Sequence, residues 1–327
     1  MTPQGVVAGL PCAAQERRRA LVQLLAGCLP IGACAALTEP RIRPVELAPG
    51  VYMVPGSGGA ADGDNQGRIG NSGFIVGERG VIAVDTGTSY AHGQALLEAI
   101  RDITEQPVRV ALITHTRPEF LFGGAAFRER GVSIRMHRRT AGLMASRCET
   151  CLKMLRLTLG EEAMRGTTIY KADQEFDATH DLELIGRPVR VLSFGHSSGP
   201  GDSAVFDVRS SALFAGGLLD VQRIPDIQDS DLQGWRKALG ELRELRPTRV
   251  VPGHGPAAAA PAIASGEHYL AALELRVRAM LASGTSLLDV AEACELPEYQ
   301  TWDQYDTIHR RNASVAFLRF ERELMFK

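Results

Sequence analysis

Three histidines in this chain each close a separate apolar run. Val108 to Thr114 reads as a buried strand that stops at His115, Val189 to Phe194 as a strand that stops at Gly195-His196, and Thr248 to Pro252 leads through Gly253 to His254. A histidine where a strand gives way to a turn is a site candidate, because side chains on loops held by a rigid sheet are where chemistry concentrates. His92, His137, His180, His268 and His309 lack that setting and read as structural.

The runs around these histidines divide the chain into two β-rich halves with helices between them. Val51 to Val54, Gly73 to Val76 and Val81 to Val84 are strands, the last two a hairpin joined through Gly77-Glu78-Arg79-Gly80. Ser89 caps a helix carrying Leu96, Leu97, Ile100 and Ile103, which precedes the strand to His115. Further helices are expected over 140–159, 234–245, 267–282 and 287–294, and another strand over Leu213 to Gly217. Such an order gives a mixed α/β fold. The near balance of acidic and basic residues, net charge -2, argues against a nucleic-acid footprint, which needs a basic face.

The N-terminus reads differently. Arg17-Arg18-Arg19 precedes the apolar run Ala20 to Ala36, too short to span a bilayer comfortably and ending in small residues, so residues 1–36 are expected to be a signal peptide. The arginine cluster also permits a twin-arginine signal, and Ile31-Gly32-Ala33-Cys34 resembles a lipoprotein box with a lipid anchor at Cys34. Residues 37–327 then form the folded domain, exported to the periplasm, with no transmembrane span in the mature chain. Cys148-Glu149-Thr150-Cys151 lies in the helix over 140–159. Such spacing suits a redox disulfide or half of a zinc site, but it has no second pair, and two buried small residues are the plainer reading.

The stretch His115-Thr116-Arg117-Pro118-Glu119-Phe120 resembles the H-x-H-x-D-H signature of the metallo-β-lactamase superfamily. The continuation Phe122-Gly123-Gly124-Ala125-Ala126-Phe127 looks like the quinoprotein relay zinc metallohydrolases of that superfamily. Gly195-His196 through Asp202 resembles the superfamily's G-H-T-x-G-D block, with the spacing lengthened. Val250 to Pro256 is similar to its closing strand and last histidine, and Tyr305 to Asn312 to the branch's C-terminal element. The resemblance implies a four-layer αββα sandwich with a C-terminal helical extension. It makes Asp85 a brace for the metal loop, and Gly56 to Gly70 a mobile flap over the cleft.

The resemblance also implies two metal-ligand sets, and both are short. His115 and His196 remain of the first, with Arg117 at the missing histidine; Glu119 and His254 remain of the second, with Phe120 at the other; Gly217 stands at the bridging aspartate. Asp220, three residues beyond, is on the wrong face if the strand continues regularly. A guanidinium is always charged, and at 4 Å and an effective dielectric near 20 it would cost a facing dication on the order of 8 kcal/mol. The residual metal ligands are then His115, His196, His254 and Glu119, good for at most one weakly held zinc. Asp85 and Glu119 are the catalytic candidates, and Arg117 and Phe120 would contact a ligand. The expected function is a ligand-binding or accessory role with a small molecule or a periplasmic quinoprotein or cytochrome system. The alternative is a mononuclear zinc hydrolase acting on an ester, thioester or lactam-like carbonyl. Restoring a histidine at Arg117 would complete the first set with His196.

Overall fold

A computed structural model describes residues 42–326. The proposed signal segment, with Cys34, lies outside the described residues. In chain order the structure runs through β1 (Val45–Ala48), β2 (Val51–Val54), β3 (Ser72–Gly77), β4 (Gly80–Val84), α1 (Tyr90–Ile103) and β5 (Val108–Ile113). Next come α2 (Pro118–Leu121), α3 (Gly124–Glu129), β6 (Ser133–His137), α4 (Arg138–Leu159), β7 (Gln174–Phe176), β8 (His180–Leu182), β9 (Val189–Ser193) and β10 (Ser203–Asp207). The remainder is β11 (Ala212–Asp220), α5 (Leu232–Glu244), β12 (Arg249–His254), α6 (Pro261–Ala282), α7 (Leu287–Ala293) and α8 (Arg310–Met325).

Two sheets result. One has the order β1-β2-β3-β4-β5-β6-β7 and the other β12-β11-β10-β9-β8. Strand β4 shows why they stack: Ile82 and Val84 face the second sheet while Val81 and Ala83 face helices, so all five of its residues are buried. A strand covered on both faces must be a continuous apolar run, as this one is. Between the sheets lie Ile75, Leu112, Val191, Val205, Phe214 and Val251. Outside the first sheet, Leu96 and Ile100 of α1, Phe127 of α3 and Met144 and Leu152 of α4 cover the outer face. Outside the second, Trp235 and Leu239 of α5, Leu273 and Val277 of α6 and Phe317 and Phe320 of α8 do the same. This is the four-layer αββα sandwich. The C-terminal helices share one of its layers with α5; α8 has no counterpart among the helices expected from sequence.

The crossovers are parallel where a helix intervenes: β4 pairs parallel with β5, β5 with β6, and β11 with β12. Parallel strands deliver their C-terminal ends to one edge, where an α/β crevice forms. Glycines hold this edge tight. A Cβ at Gly123 would stand 1.9 Å from the carbonyl oxygen of Thr86 and one at Gly93 would stand 2.1 Å from that of Gly123, so α1 and the turn before α3 meet backbone to backbone. Gly123→Ala should therefore cost about 1–3 kcal/mol, since neither contact atom can swing away. Urea unfolding checks it, and a midpoint equal to wild type would show that the turn yields freely.

Candidate functional site

Asp85 follows β4 in a left-handed conformation, φ 58°, and turns its carboxylate onto the end of β5. It accepts from Thr114 N at 2.8 Å and from Thr114 Oγ1 at 3.0 and 2.8 Å, bracing the residue before His115. Burial pushes its pKa up to about 7 against the lowering effect of those hydrogen bonds.

The His115 ring is 3 % exposed. It is slotted between two glycines: a Cβ at Gly217 would stand 2.7 Å from its Cγ and one at Gly199 2.6 Å from its Cε1. A side chain at position 217 and the imidazole as it lies are mutually exclusive. His115 Nδ1 contacts Asp202 Oδ1 at 2.5 Å. Asp202 Oδ2 accepts from Ser197 Oγ, Ser198 Oγ and Gly199 N at 2.7, 2.7 and 2.9 Å. Burial would raise the Asp202 pKa, but the charge and hydrogen bond of His115 and the serine hydroxyls outweigh it, and the pKa is lowered.

That wrapping of Asp202 corrects the placing of His196. With Ser197 and Ser198 turned inward, and His196 bridged to Pro200 across the short loop, the imidazole points outward. It is exposed, with Nε2 2.7 Å from the Asp229 carbonyl oxygen, and it lines a different surface cavity, with Asp231, Arg236 and Arg319. His196 is not brought together with His115 and His254.

Asp220 is the opposite correction. Along β11 the chain advances six positions, Phe214 to Asp220, while β12 advances three, Val251 to His254. The odd excess reverses the face on which Asp220 emerges. Gly216, at φ 52° and with its missing Cβ 2.1 Å from Thr114 Oγ1, is what permits the irregularity. Asp220 Oδ1 thus lies 2.7 Å from His254 Nδ1, while Glu119 Oε1 lies 3.1 Å from His254 Nε2. The paired glycines of the β11 sequence were the signal for this bulge. The serine pair ahead of Asp202 was the signal for the other carboxylate.

Around His254 the charges reinforce one another. Burial would lower its pKa, yet Asp220 and Glu119 raise it. Burial would raise Glu119, yet the hydrogen bond and charge of His254 and the charge of Arg117 bring it down to about 2. Asp220 is lowered by the same histidine and by Arg117 and Arg223, again against burial. Arg117 donates through Nη2 to the Asp226 carbonyl oxygen at 2.9 Å, and the charges of Asp220, Asp226, Glu119 and Asp202 raise its pKa against burial. Phe120 is fully buried between the two histidines, its ring centroid 6.0 Å from that of His115 and 5.5 Å from that of His254. It packs there and is absent from the lining of the adjacent cleft, a cavity of about 320 Å³ walled by His115, Arg117, Glu119, Arg147, Cys148 and Cys151 among others.

The flap is tied down. Asn71 Nδ2 donates to the carbonyls of Pro252 and Gly255 at 2.8 and 2.9 Å, Gly59 N donates to Asp303 Oδ2 at 2.9 Å, and Arg223 Nη1 donates to Gly59 O at 2.8 Å. Its end lies against Glu119, where a Cβ at Gly70 would stand 2.9 Å from Glu119 Cγ.

These donors do not fit a zinc centre. Glu119 and Asp220 occupy opposite nitrogens of His254, so one ion cannot take all three in place of the proton network, and Phe120 stands between the two buried histidines. Among the described residues no group of three or more histidine, cysteine, aspartate or glutamate side chains is arranged to hold a metal. Nor does any helix there have the length and apolarity to cross a membrane.

Comparison with known proteins places this geometry. The profile of the metallo-beta-lactamase superfamily matches residues 65–254, more than half of the chain. Solved structures with similar folds include a metallo-beta-lactamase from Pontibacter korlensis, at TM-score 0.57 and 19% identity, covering 70% of this chain and 99% of that one. Another, from Hirschia baltica, has TM-score 0.55 and 20% identity over 71% of this chain and 98% of its own. FIM-1 from Pseudomonas aeruginosa, solved in a mono-zinc form, has TM-score 0.55 and 18% identity over 71% and 96%. Among curated proteins no sequence match is found.

Proposed function

The chain belongs to the metallo-β-lactamase superfamily, and from that premise we propose that it is an exported ligand-binding or accessory member, related to the quinoprotein-associated metallohydrolases, in which a charge network replaces the dinuclear metal centre. Zinc is the usual ion of this fold family. Here the Arg117 guanidinium offsets the charge of Glu119 and Asp220, and these two carboxylates raise the pKa of the His254 ring between them, at the place where the signature would gather metal. The observation that carries the reading is the arrangement around His254, with Asp220 at one ring nitrogen, Glu119 at the other and the Phe120 ring between it and His115.

The cleft beside this network suits a small polar molecule. Its volume, about 320 Å³, is at the lower end of small-molecule sites. Arg117 and Arg147 on its wall face Glu119, Asp226 and Asp229, so an anionic ligand has no net electrostatic advantage there. A periplasmic quinoprotein or cytochrome is the partner class that the branch resemblance adds.

Zinc titration and elemental analysis of the purified protein test the reading, with hydrolysis of a chromogenic lactam and of a thioester measured alongside. Wild type should carry well under one zinc per chain and show no zinc-dependent hydrolysis. Because His196 lies on the outside, Arg117→His by itself should leave zinc binding weak, contrary to what the ligand tally from sequence implies. Stoichiometric zinc in wild type, lost on His254→Ala together with a hydrolytic activity, would instead establish the mononuclear hydrolase.

A further inference from the structure

We propose that Cys148 and Cys151 form a dithiol site in the cleft wall that captures a thiophilic trivalent centre, of which an organoarsenous acid is the simplest chemical representative. Both residues belong to α4, three positions apart, and both line the cavity shared with His115 and Arg117. Residues at that spacing are neighbours on one helix face. Cys148 is 2 % exposed and Cys151 is half-buried, so the second thiol gives entry from the cleft and the first closes the site from beneath.

Geometry favours a bridged pair over a disulfide. Cβ atoms three apart on a helix are about 5–6 Å from each other, whereas a disulfide needs them at about 3.5–4.5 Å. Closing that gap directly would distort a turn whose helix is fixed at Met144, Cys148 and Leu152 against the first sheet, and at Thr140, whose Oγ1 donates to Gly201 O at 2.9 Å. An atom inserted between the sulfurs spans the gap without that distortion.

The capture step is a condensation. Two As–S bonds form and two As–O bonds break, the two thiol protons leave in two molecules of water, and neither arsenic nor sulfur changes oxidation state.

The sequence supplies a clean readout. Arg147 and Lys153 flank the pair, so trypsin releases Cys148 to Lys153 as a peptide with both thiols and no other cysteine. The intact chain is treated with phenylarsonous acid, then alkylated and digested. The expected result is full protection of this peptide from alkylation at one arsenic per peptide, reversed by a small 1,2-dithiol and not by a monothiol. Cys148→Ser and Cys151→Ser should each weaken capture by about 100-fold, the loss of a chelate's second contact. Because protection is read on wild type, a poorly folded Cys148 variant does not decide the matter. Complete alkylation at saturating arsenical would overturn the proposal. So would a Cys151→Ser variant that captures as well as wild type, or ready formation of an internal disulfide in that peptide with a small-molecule disulfide.

Discussion

Arg117→Leu should destabilise the protein by about 3 kcal/mol, the lower end of the range for stripping one partner from a buried ion network, because this arginine is only part-buried. Leucine keeps much of the side-chain volume and removes the charge. Glu119 would then keep His254 as its partner and Asp220 would keep His254 and the charge of Arg223, and the Asp226 carbonyl would lose its donor. A second substitution identifies the cause. Glu119→Gln introduced into the leucine variant removes one uncompensated charge, so it should restore a large part of the loss, while in the wild-type background it should be destabilising. A double-mutant cycle by urea denaturation at neutral pH measures that coupling. Additive effects would mean that Arg117 and Glu119 do not form one network, and the charge-replacement reading would fall with it.

Much of the scaffold was legible because strands buried on both faces leave a strong trace. Val81 to Val84 and Val108 to Thr114 needed no more than their apolar character to be read, and their loops then placed Asp85 and His115. Spacing alone could not settle where a histidine points. Gly195-His196 looks like a ligand block by residue type, but the orientation of His196 is fixed by Ser197 and Ser198 closing on Asp202, a loop-scale hydrogen-bond pattern with no periodicity. Alternation misplaces Asp220 for a related reason: it assumes a regular strand, and the bulged course of β11 breaks it at Gly216. The loop over 56–70 carries little apolar surface, so its fixing by Asp303 and Arg223, far away in sequence, left no local signal.

Phe120 illustrates how one substitution reaches across the site. At the position of a third histidine it reads as a lost ligand or as a surface for a bound molecule. In the structure it is a packing residue, and its full burial contributes roughly 1.5–3 kcal/mol. The ring keeps His115 and His254 apart and leaves each to its own carboxylates. A network of this kind can persist in a low-dielectric interior because its members are hydrogen-bonded to one another rather than left as isolated charges.

The Asp85 carboxylate should make itself visible in the pH dependence of stability. Burial raises its pKa from 3.8 to about 7, so between about pH 4 and pH 7 the folded protein holds a proton that the unfolded chain has released. Stability from this group therefore falls as pH rises through that window, by on the order of 4 kcal/mol at about 1.4 kcal/mol per unit. Other groups act oppositely: burial, aided by Arg68, lowers His92 to about 3, and burial also lowers His137 and His309, so their contribution grows as pH rises towards 6.5. His254 is raised, and its contribution, present below 6.5, is lost as pH climbs through its folded value. The carboxylates of Glu119, Asp220 and Asp202 contribute above their unfolded values and fade only in stronger acid. The wild-type curve alone mixes all of these, whereas comparison with Asp85→Asn isolates one. Asparagine is neutral throughout and retains a carbonyl to accept from Thr114. Its stability relative to wild type should improve steadily from pH 4 to pH 7 and then level off. A difference that stays constant across that range in urea titrations would show that Asp85 ionises normally, and that its brace on the strand to His115 is a charged one throughout that window.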